Sequence, residues 1–126
     1  VNYSQSKLCN VLFTYELHRR LQKQGITNVT VNAVHPGVVN TNIGKYLPAP
    51  LQWIGGPIAQ LFFRTVEQGA QAPVYLATSP EVEGVSGKYF DSNCKPVESS
   101  PASYDEALAA DLWNQSEKWV RILSQS

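Results

Sequence analysis

The first 24 residues constrain the fold most, because they combine a long helical pattern with very little polar surface. Apolar residues recur at i,i+4 spacing in two rows, which are Leu8 with Leu12 and Phe13 with Leu17 and Leu21. Gly25 follows as a stop signal, so the pattern predicts a helix from residue 3 to about residue 24. Its first half is apolar nearly all round, which is typical of a helix buried on two sides.

The two histidines are interpreted as structural. His18 lies in the polar end of the predicted helix, where a solvated, positively charged side chain is mildly favoured. No residue at metal-ligand spacing accompanies it, so no metal site is predicted. His35 follows a β-branched segment and is interpreted as a packed residue at the end of a strand.

Residues 29–34 are short and β-branched, bounded by Gly25 and by Pro36-Gly37, and they predict a strand. Ligands in open α/β sheets bind beyond the carboxyl ends of the strands. Pro36 fixes φ, and Gly37 permits a sharp turn with close backbone approach. By itself the Pro-Gly pair would indicate no more than a turn.

Tyr3 and Lys7 are four residues apart at the start of the predicted helix. That spacing brings their Cβ atoms to about 5–6 Å on one face. A nearby ammonium favours the phenolate and lowers a phenol pKa from its ordinary value of about 10, which prepares a Tyr for proton exchange with an alcohol or carbonyl oxygen. Such a pair alone also occurs by chance in many proteins.

Two motifs together resemble one family. Tyr3-Ser4-Gln5-Ser6-Lys7 leads into the apolar run of residues 8–13, and His35-Pro36-Gly37-Val38-Val39-Asn40-Thr41 follows the strand. Their order and spacing resemble the C-terminal half of short-chain dehydrogenases/reductases, in particular the retinol-dehydrogenase-like branch that includes WW-domain oxidoreductases. The resemblance extends through Gly84–Phe90 to a Trp-bearing terminal helix, so it covers essentially the whole chain.

The resemblance implies an α/β fold in which residues 1–126 form the C-terminal catalytic and substrate-binding part of one Rossmann-type, doubly wound parallel sheet. The family's glycine-rich phosphate loop and its catalytic Ser and Asn precede the Tyr and have no counterpart here. With no Met in the sequence, a fragment lacking the dinucleotide-binding half is expected. Because a doubly wound sheet is buried on both faces, these residues alone are expected to be neither stable nor active.

The implied function is NADP- or NAD-dependent interconversion of an alcohol and a carbonyl on an apolar substrate such as a retinol, sterol or other lipid. By resemblance, Tyr3 is the general acid or base, and Lys7 lowers its pKa and holds the nicotinamide ribose. NADP is the more frequent cofactor in this branch.

The turn after the strand is the other part of the implied site. The resemblance assigns Pro36 and Gly37 to the cofactor-binding turn, the backbone of Val39 to the nicotinamide carboxamide, and Thr41 to a cofactor contact.

The remaining chain predicts further elements. Residues 42–64 are apolar and broken by Pro and Gly, which favours a helix-loop-helix lid over the cofactor. A helix from residue 65 to about 77, kinked at Pro73, precedes a strand at residues 84–90 and a turn at 91–93. A last helix from about residue 103 has apolar residues at helical spacing, namely Leu108, Leu112, Trp113, Val120 and Leu123.

Composition limits the partners. A formal net charge of zero gives no electrostatic surface for nucleic acid and no basic face for a membrane, although aromatic residues in 42–64 leave lipid contact open. The longest apolar runs fall short of the roughly 20 residues of a membrane-spanning helix. Two cysteines favour a reducing compartment, and the first helix predicts a possible homodimer.

Two alternatives remain open from the sequence. The chain is also compatible with a non-catalytic remnant that acts as an interaction module through residues 8–17. Lys7-Leu8-Cys9-Asn10 further resembles light-dependent protochlorophyllide reductases, in which a Cys stands two residues after the Lys.

Overall fold

The computed structural model describes residues 3–35, 37 and 66–124. They divide into two units, one comprising the chain to Ala33 with residues 81–89 and the chain from Pro96, the other comprising residues 34–80 and 90–95. The elements are α1 (Tyr3–Lys23), β1 (Ala33–Val34), α2 (Val66–Thr78), β2 (Tyr89–Phe90), β3 (Pro96–Val97) and α3 (Glu106–Ser124), with 3₁₀ helices at Pro80–Val82 and Pro101–Tyr104.

The end of α1 confirms the predicted boundary. Gly25 adopts φ of 69°, in the left-handed region that glycine enters without steric cost. The Ile26 amide donates to the Leu21 carbonyl and the Gly25 amide to the Gln22 carbonyl, both at 3.0 Å. This is a Schellman motif, which satisfies carbonyl groups that the helix leaves without a partner.

In the first unit, α1 packs against α3 and against the 3₁₀ helix Pro101–Tyr104. Leu12, Tyr15 and Ala109 are buried there, and the Tyr15 ring stacks on Tyr104 with centroids 5.5 Å apart. Phe13 of α1 stacks on Trp113 of α3. Phe13 and Tyr15 of α1 thus both contact the chain's own C-terminal elements, and a homodimer through α1 stays a prediction.

The last helix begins later than the sequence predicted. Residues Pro101–Tyr104 form a 3₁₀ turn, and α3 starts at Glu106 because the Asp105 carboxylate accepts a hydrogen bond from the Leu108 amide at 2.9 Å, as an N-cap residue does. Its predicted apolar face is also only partly covered. Val120 remains 65% exposed and Leu108 44% exposed.

The three strands form one sheet in the order β1-β2-β3. The Ala33 amide donates to the Lys88 carbonyl and the His35 amide to the Phe90 carbonyl, so β1 and β2 run parallel. A turn closed by the Asp91 amide and the Lys95 carbonyl makes β3 antiparallel to β2. The α/β class is confirmed, but this sheet is mixed, and β3 was not predicted.

Both predicted strands are wrong in length, since residues 29–34 and 84–90 each contribute only two residues to the sheet. Side chains replace the backbone ladder before β1. The Val31 backbone amide donates to Ser86 Oγ. The side chain of Asn32 donates to the Val85 carbonyl through Nδ2 and accepts from the Lys88 backbone amide through Oδ1. Because these bonds occupy the groups that a ladder requires, regular pairing starts at residue 33.

In the second unit, α2 matches the predicted helix and contains Pro73, which is exposed. Among the described residues of this unit, Gly69, Ala72 and Phe90 are buried. The predicted lid at residues 42–64 lies outside the described residues. In the ranges that the structure describes, no helix is both long and apolar enough to cross a membrane.

Candidate active site

The amino end of α1 holds the first predicted pair. Tyr3 is the first residue of the helix and Lys7 lies one turn later, exposed to solvent. Both are therefore in one continuous α-helix, which is the backbone geometry that the proposed Tyr and Lys partnership requires. The side chain of Tyr3 lies outside the described atoms. Ser4, Gln5 and Ser6, between the two, are exposed.

The turn after β1 holds the other described candidate. Gly37 adopts φ of 77° and is half-buried. Its amide donates to His35 Nδ1 at 2.9 Å. The backbone amide of His35 in turn donates to the Phe90 carbonyl in the sheet. Gly37 lies three residues after the end of β1, and glycine adopts a left-handed φ without strain. Pro36, Val39 and Thr41 lie outside the described residues.

His35 differs from the prediction. It is exposed rather than packed, and its ring nitrogen Nδ1 accepts the hydrogen bond from the Gly37 amide. Nδ1 therefore bears no proton, and the ring braces the turn. The sequence offered one signal for this role, a polar side chain two residues before a glycine, which is the spacing of local side-chain to backbone bonds.

Tyr3 and Lys7 belong to the first unit and Gly37 to the second. Within α1 the structure brings Tyr3 and Lys7 to the same helix end.

His18 also differs from the prediction of a solvated residue. It is half-buried, and its Nδ1 lies 2.9 Å from Ser86 Oγ. Ser86 Oγ in turn accepts a hydrogen bond from the Val31 amide at 3.0 Å. The two side chains are 68 residues apart in the sequence, and no local pattern pointed to their contact.

A second tyrosine of α1 is poorly suited to proton transfer. Tyr15 is buried, and its hydroxyl lies 2.8 Å from Ser99 Oγ. Burial raises the pKa of Tyr15 above its ordinary value, because a phenolate loses its hydration there. Hydrogen bonds with Ser99 lower the pKa of Tyr104 below its ordinary value. Tyr104 lies in the 3₁₀ turn, far along the chain from Lys7, so it does not form the predicted Tyr and Lys pair.

The middle of α1 carries a buried carboxylate. Glu16 is only 7% exposed and accepts hydrogen bonds from Arg19 at 2.9 Å and Arg20 at 2.7 Å. Burial alone would raise the pKa of Glu16, but the bonds from Arg20 and Arg19 outweigh it and hold that pKa below its ordinary value. The Arg20 guanidinium also lies 4.6 Å from the ring centroid of Trp113. This cluster ties α1 to α3.

A groove of about 270 Å³ lies beside the Phe13 and Trp113 rings. It is lined by Phe13, Trp113, Ser116, Glu117, Val120 and Arg121. Lys7 is not among the described residues that line it.

Comparison with known proteins gives clear relatives, although no protein-family model matches the chain. The chain is 50% identical over 123 residues to human retinol dehydrogenase 14, an alignment that covers 96% of this chain and 35% of that protein. It is 42% identical over 130 residues to the WW domain-containing oxidoreductase of Pongo abelii, covering 98% of this chain and 29% of that protein.

A third relative is the polyprenol dehydrogenase of Danio rerio, 44% identical over 114 residues, with 90% of this chain and 35% of that protein aligned. The chain thus spans about a third of the length of the curated relatives it matches. The resemblance predicted from the two motifs is confirmed: the chain is a homologue of retinol-dehydrogenase-like members of the short-chain dehydrogenase/reductase superfamily, and it corresponds to about a third of their length.

Proposed function

We propose that the protein is an NAD(P)-dependent oxidoreductase that interconverts an alcohol and a carbonyl on an apolar substrate. The observation that carries the proposal is that Tyr3 and Lys7 lie one turn apart in a single α-helix. The chain that contains them is 50% identical over 123 residues to a retinol dehydrogenase. Both relatives named for a substrate, retinol and polyprenol, act on long apolar alcohols, which supports the substrate class.

Tyr3 handles the proton in this proposal. In the oxidising direction its phenolate accepts the hydroxyl proton of the substrate, and in the reducing direction its phenol donates a proton to the carbonyl oxygen. Lys7 favours the phenolate, because a cation close to a phenol lowers the phenol pKa. The exposed ammonium of Lys7 also provides up to three hydrogen-bond donors for the ribose hydroxyls.

The turn at Gly37 fits a nicotinamide cofactor. Its left-handed glycine lets the backbone come close to a flat ring, and His35 Nδ1 holds the amide of the turn in place. A nicotinamide held at this turn would supply hydride chemistry at the alcohol or carbonyl carbon of the substrate. We place Pro36, Gly37, Val39 and Thr41 in this contact, with NADP or NAD as the cofactor.

Turnover of Tyr3→Phe tests the proposal. The protein at its natural length is assayed with retinol and with a polyprenol, each with NADP⁺ and NAD⁺, by absorbance of the reduced cofactor. We expect Tyr3→Phe to lower turnover by roughly 10²–10⁴, the scale of acid–base catalysis, and to leave cofactor binding nearly unchanged. Tyr104→Phe, which removes an exposed hydroxyl from the 3₁₀ turn, is the matched control and should retain turnover. Normal turnover in Tyr3→Phe would remove its proton-transfer role.

A further inference from the structure

His18, Ser86 and Val31 form a chain of hydrogen bonds between α1 and the segment before β1. His18 Nδ1 lies 2.9 Å from Ser86 Oγ, and the Val31 amide donates to the same Oγ at 3.0 Å. The Gly87 amide donates to the Val31 carbonyl at 2.7 Å. Both polar groups of the Val31 backbone are thus held by adjacent residues, Ser86 and Gly87.

The His18 ring packs directly against the backbone of Gly87. A Cβ atom built on Gly87 would lie 2.5 Å from His18 Cδ2 and 2.7 Å from Cγ, closer than real Cβ contacts come. Gly87 also has a φ of 71°. Because Gly87 has no side chain, the imidazole of His18 can lie against its backbone, next to Ser86.

Ser86 Oγ links the two groups. It accepts a hydrogen bond from the Val31 amide at 3.0 Å and shares a hydrogen bond with His18 Nδ1 at 2.9 Å. A longer contact of 3.5 Å joins Ser86 Oγ to the Val31 carbonyl. One hydroxyl therefore connects the imidazole of α1 to the backbone of Val31, and hydrogen bonds that share an atom polarise each other.

We propose that His18 is a positioning residue, which through Ser86 holds the backbone of Val31 and so orients the strand that leads into the cofactor-binding turn. β1 begins two residues after Val31, and Pro36-Gly37 follows directly after His35. The Val31 amide has a side-chain oxygen in place of a ladder carbonyl, so its position depends on how that serine is held. The proposal rests on the proposed function, because that function gives the turn its role.

Asn32, next to Val31, holds the same segment before β1 through hydrogen bonds of its own. Asn32 Nδ2 donates to the Val85 carbonyl at 2.8 Å, and the Lys88 amide donates to Asn32 Oδ1 at 3.0 Å. Loss of His18 therefore loosens the backbone at Val31, while Asn32 and the sheet bonds keep the strand paired. We expect a small shift of the strand and of the cofactor turn rather than an unfolded protein.

The kinetic test uses His18→Ala, His18→Asn and the control Gln22→Ala, an exposed residue of the same helix, in the protein at its natural length. We expect His18→Ala to raise KM for the cofactor roughly three- to tenfold, the equivalent of one hydrogen bond, with kcat within twofold. Asn places a polar atom at the same distance from Cβ as Nδ1, so His18→Asn should restore most of the affinity. An unchanged KM in His18→Ala contradicts the proposal.

A second measurement separates this proposal from the proposed function. Hydrogen exchange at the Val31 amide, followed by NMR or mass spectrometry, should be faster in His18→Ala and in Ser86→Ala and unchanged in Gln22→Ala. If no variant and no substrate gives turnover, the proposed function fails while Val31 exchange still tests the role of His18. Equal Val31 exchange in all proteins would falsify the positioning role.

Discussion

The ring of Phe13 lies flat against the indole of Trp113, with centroids 5.1 Å apart and planes 12° from parallel. Arg20 covers the same indole at 4.6 Å, and Trp113 Nε1 donates to Glu117 at 3.0 Å. Trp113 therefore joins α1 to α3 through stacking and a cation–π contact, while its hydrogen bond to Glu117 lies within α3.

Removal of that indole should destabilise the first unit. We expect Trp113→Ala to lower the free energy of unfolding by about 2–3 kcal/mol, below the 3–5 kcal/mol of a fully buried Trp because the side chain is only half-buried. Urea denaturation of the protein at its natural length measures it. Trp119→Ala, in the same helix and 61% exposed, should change the free energy by less than about 0.5 kcal/mol. Equal effects of the two variants would contradict the assignment.

Glu16 should make stability depend on acid. Its folded-state pKa lies below the ordinary value, so its contribution is fully present above about pH 4.3 and is lost as the pH falls through the folded-state pKa. Glu16→Gln should cost about 1–3 kcal/mol at pH 7, the range of hydrogen bonds to charged groups. The difference between variant and parent should shrink as the pH falls below about 4.3.

The matched control for Glu16→Gln is Glu117→Gln. Glu117 lies 3.8 Å from Arg121 in an ion pair, and the Glu117 side chain is 46% exposed. An exposed pair of this kind contributes less than about 1 kcal/mol. A pH-independent difference between Glu16→Gln and the parent would show that the charge of Glu16 is not what stabilises the protein.

Gly87→Ala should be more costly than Gly25→Ala, although both glycines have nearly the same φ, 71° and 69°. Both substitutions incur about 1–2 kcal/mol of left-handed strain. A Cβ on Gly25 meets nothing within 4 Å, whereas on Gly87 it meets the His18 ring at 2.5 Å, which adds about 1–3 kcal/mol of overpacking. Thermal unfolding measures the difference.

A double variant isolates the clash. In Gly87→Ala with His18→Ala the overpacking is absent, so the combined loss should be smaller than the sum of the two single losses. Additive losses would mean that His18 and Gly87 do not contact each other in solution.

Lys7 should affect both chemistry and binding. Under the proposed function we expect Lys7→Ala to lower turnover and to weaken cofactor affinity, because one ammonium both tunes Tyr3 and contacts the ribose. Isothermal titration with NADP⁺ and NAD⁺ beside a turnover assay separates the two effects. Lys23→Ala, an exposed lysine at the other end of α1, should change neither. Unchanged cofactor affinity in Lys7→Ala would leave Lys7 with its electrostatic role alone.

Local sequence determined the parts of this protein whose energetics are local. The spacing of apolar residues and the stop at Gly25 define α1, since helix hydrogen bonds and caps join residues close in sequence. The same spacing puts Tyr3 and Lys7 one turn apart, and their motif was sufficient to identify the relatives. The Pro36-Gly37 pair indicated a turn, and the φ of Gly37 agrees with it.

The tertiary structure alone decided the features that depend on distant partners. His18 reads as a solvated helix residue until Ser86, 68 residues away, comes beside it. The strands begin later than predicted because Ser86 and Asn32 take over the backbone partners of a ladder, and the alternation of residue types in the sequence does not indicate this. Periodicity reflects the preferences of the local backbone, whereas strand ends and side-chain pairs depend on which distant segments the folded chain brings together.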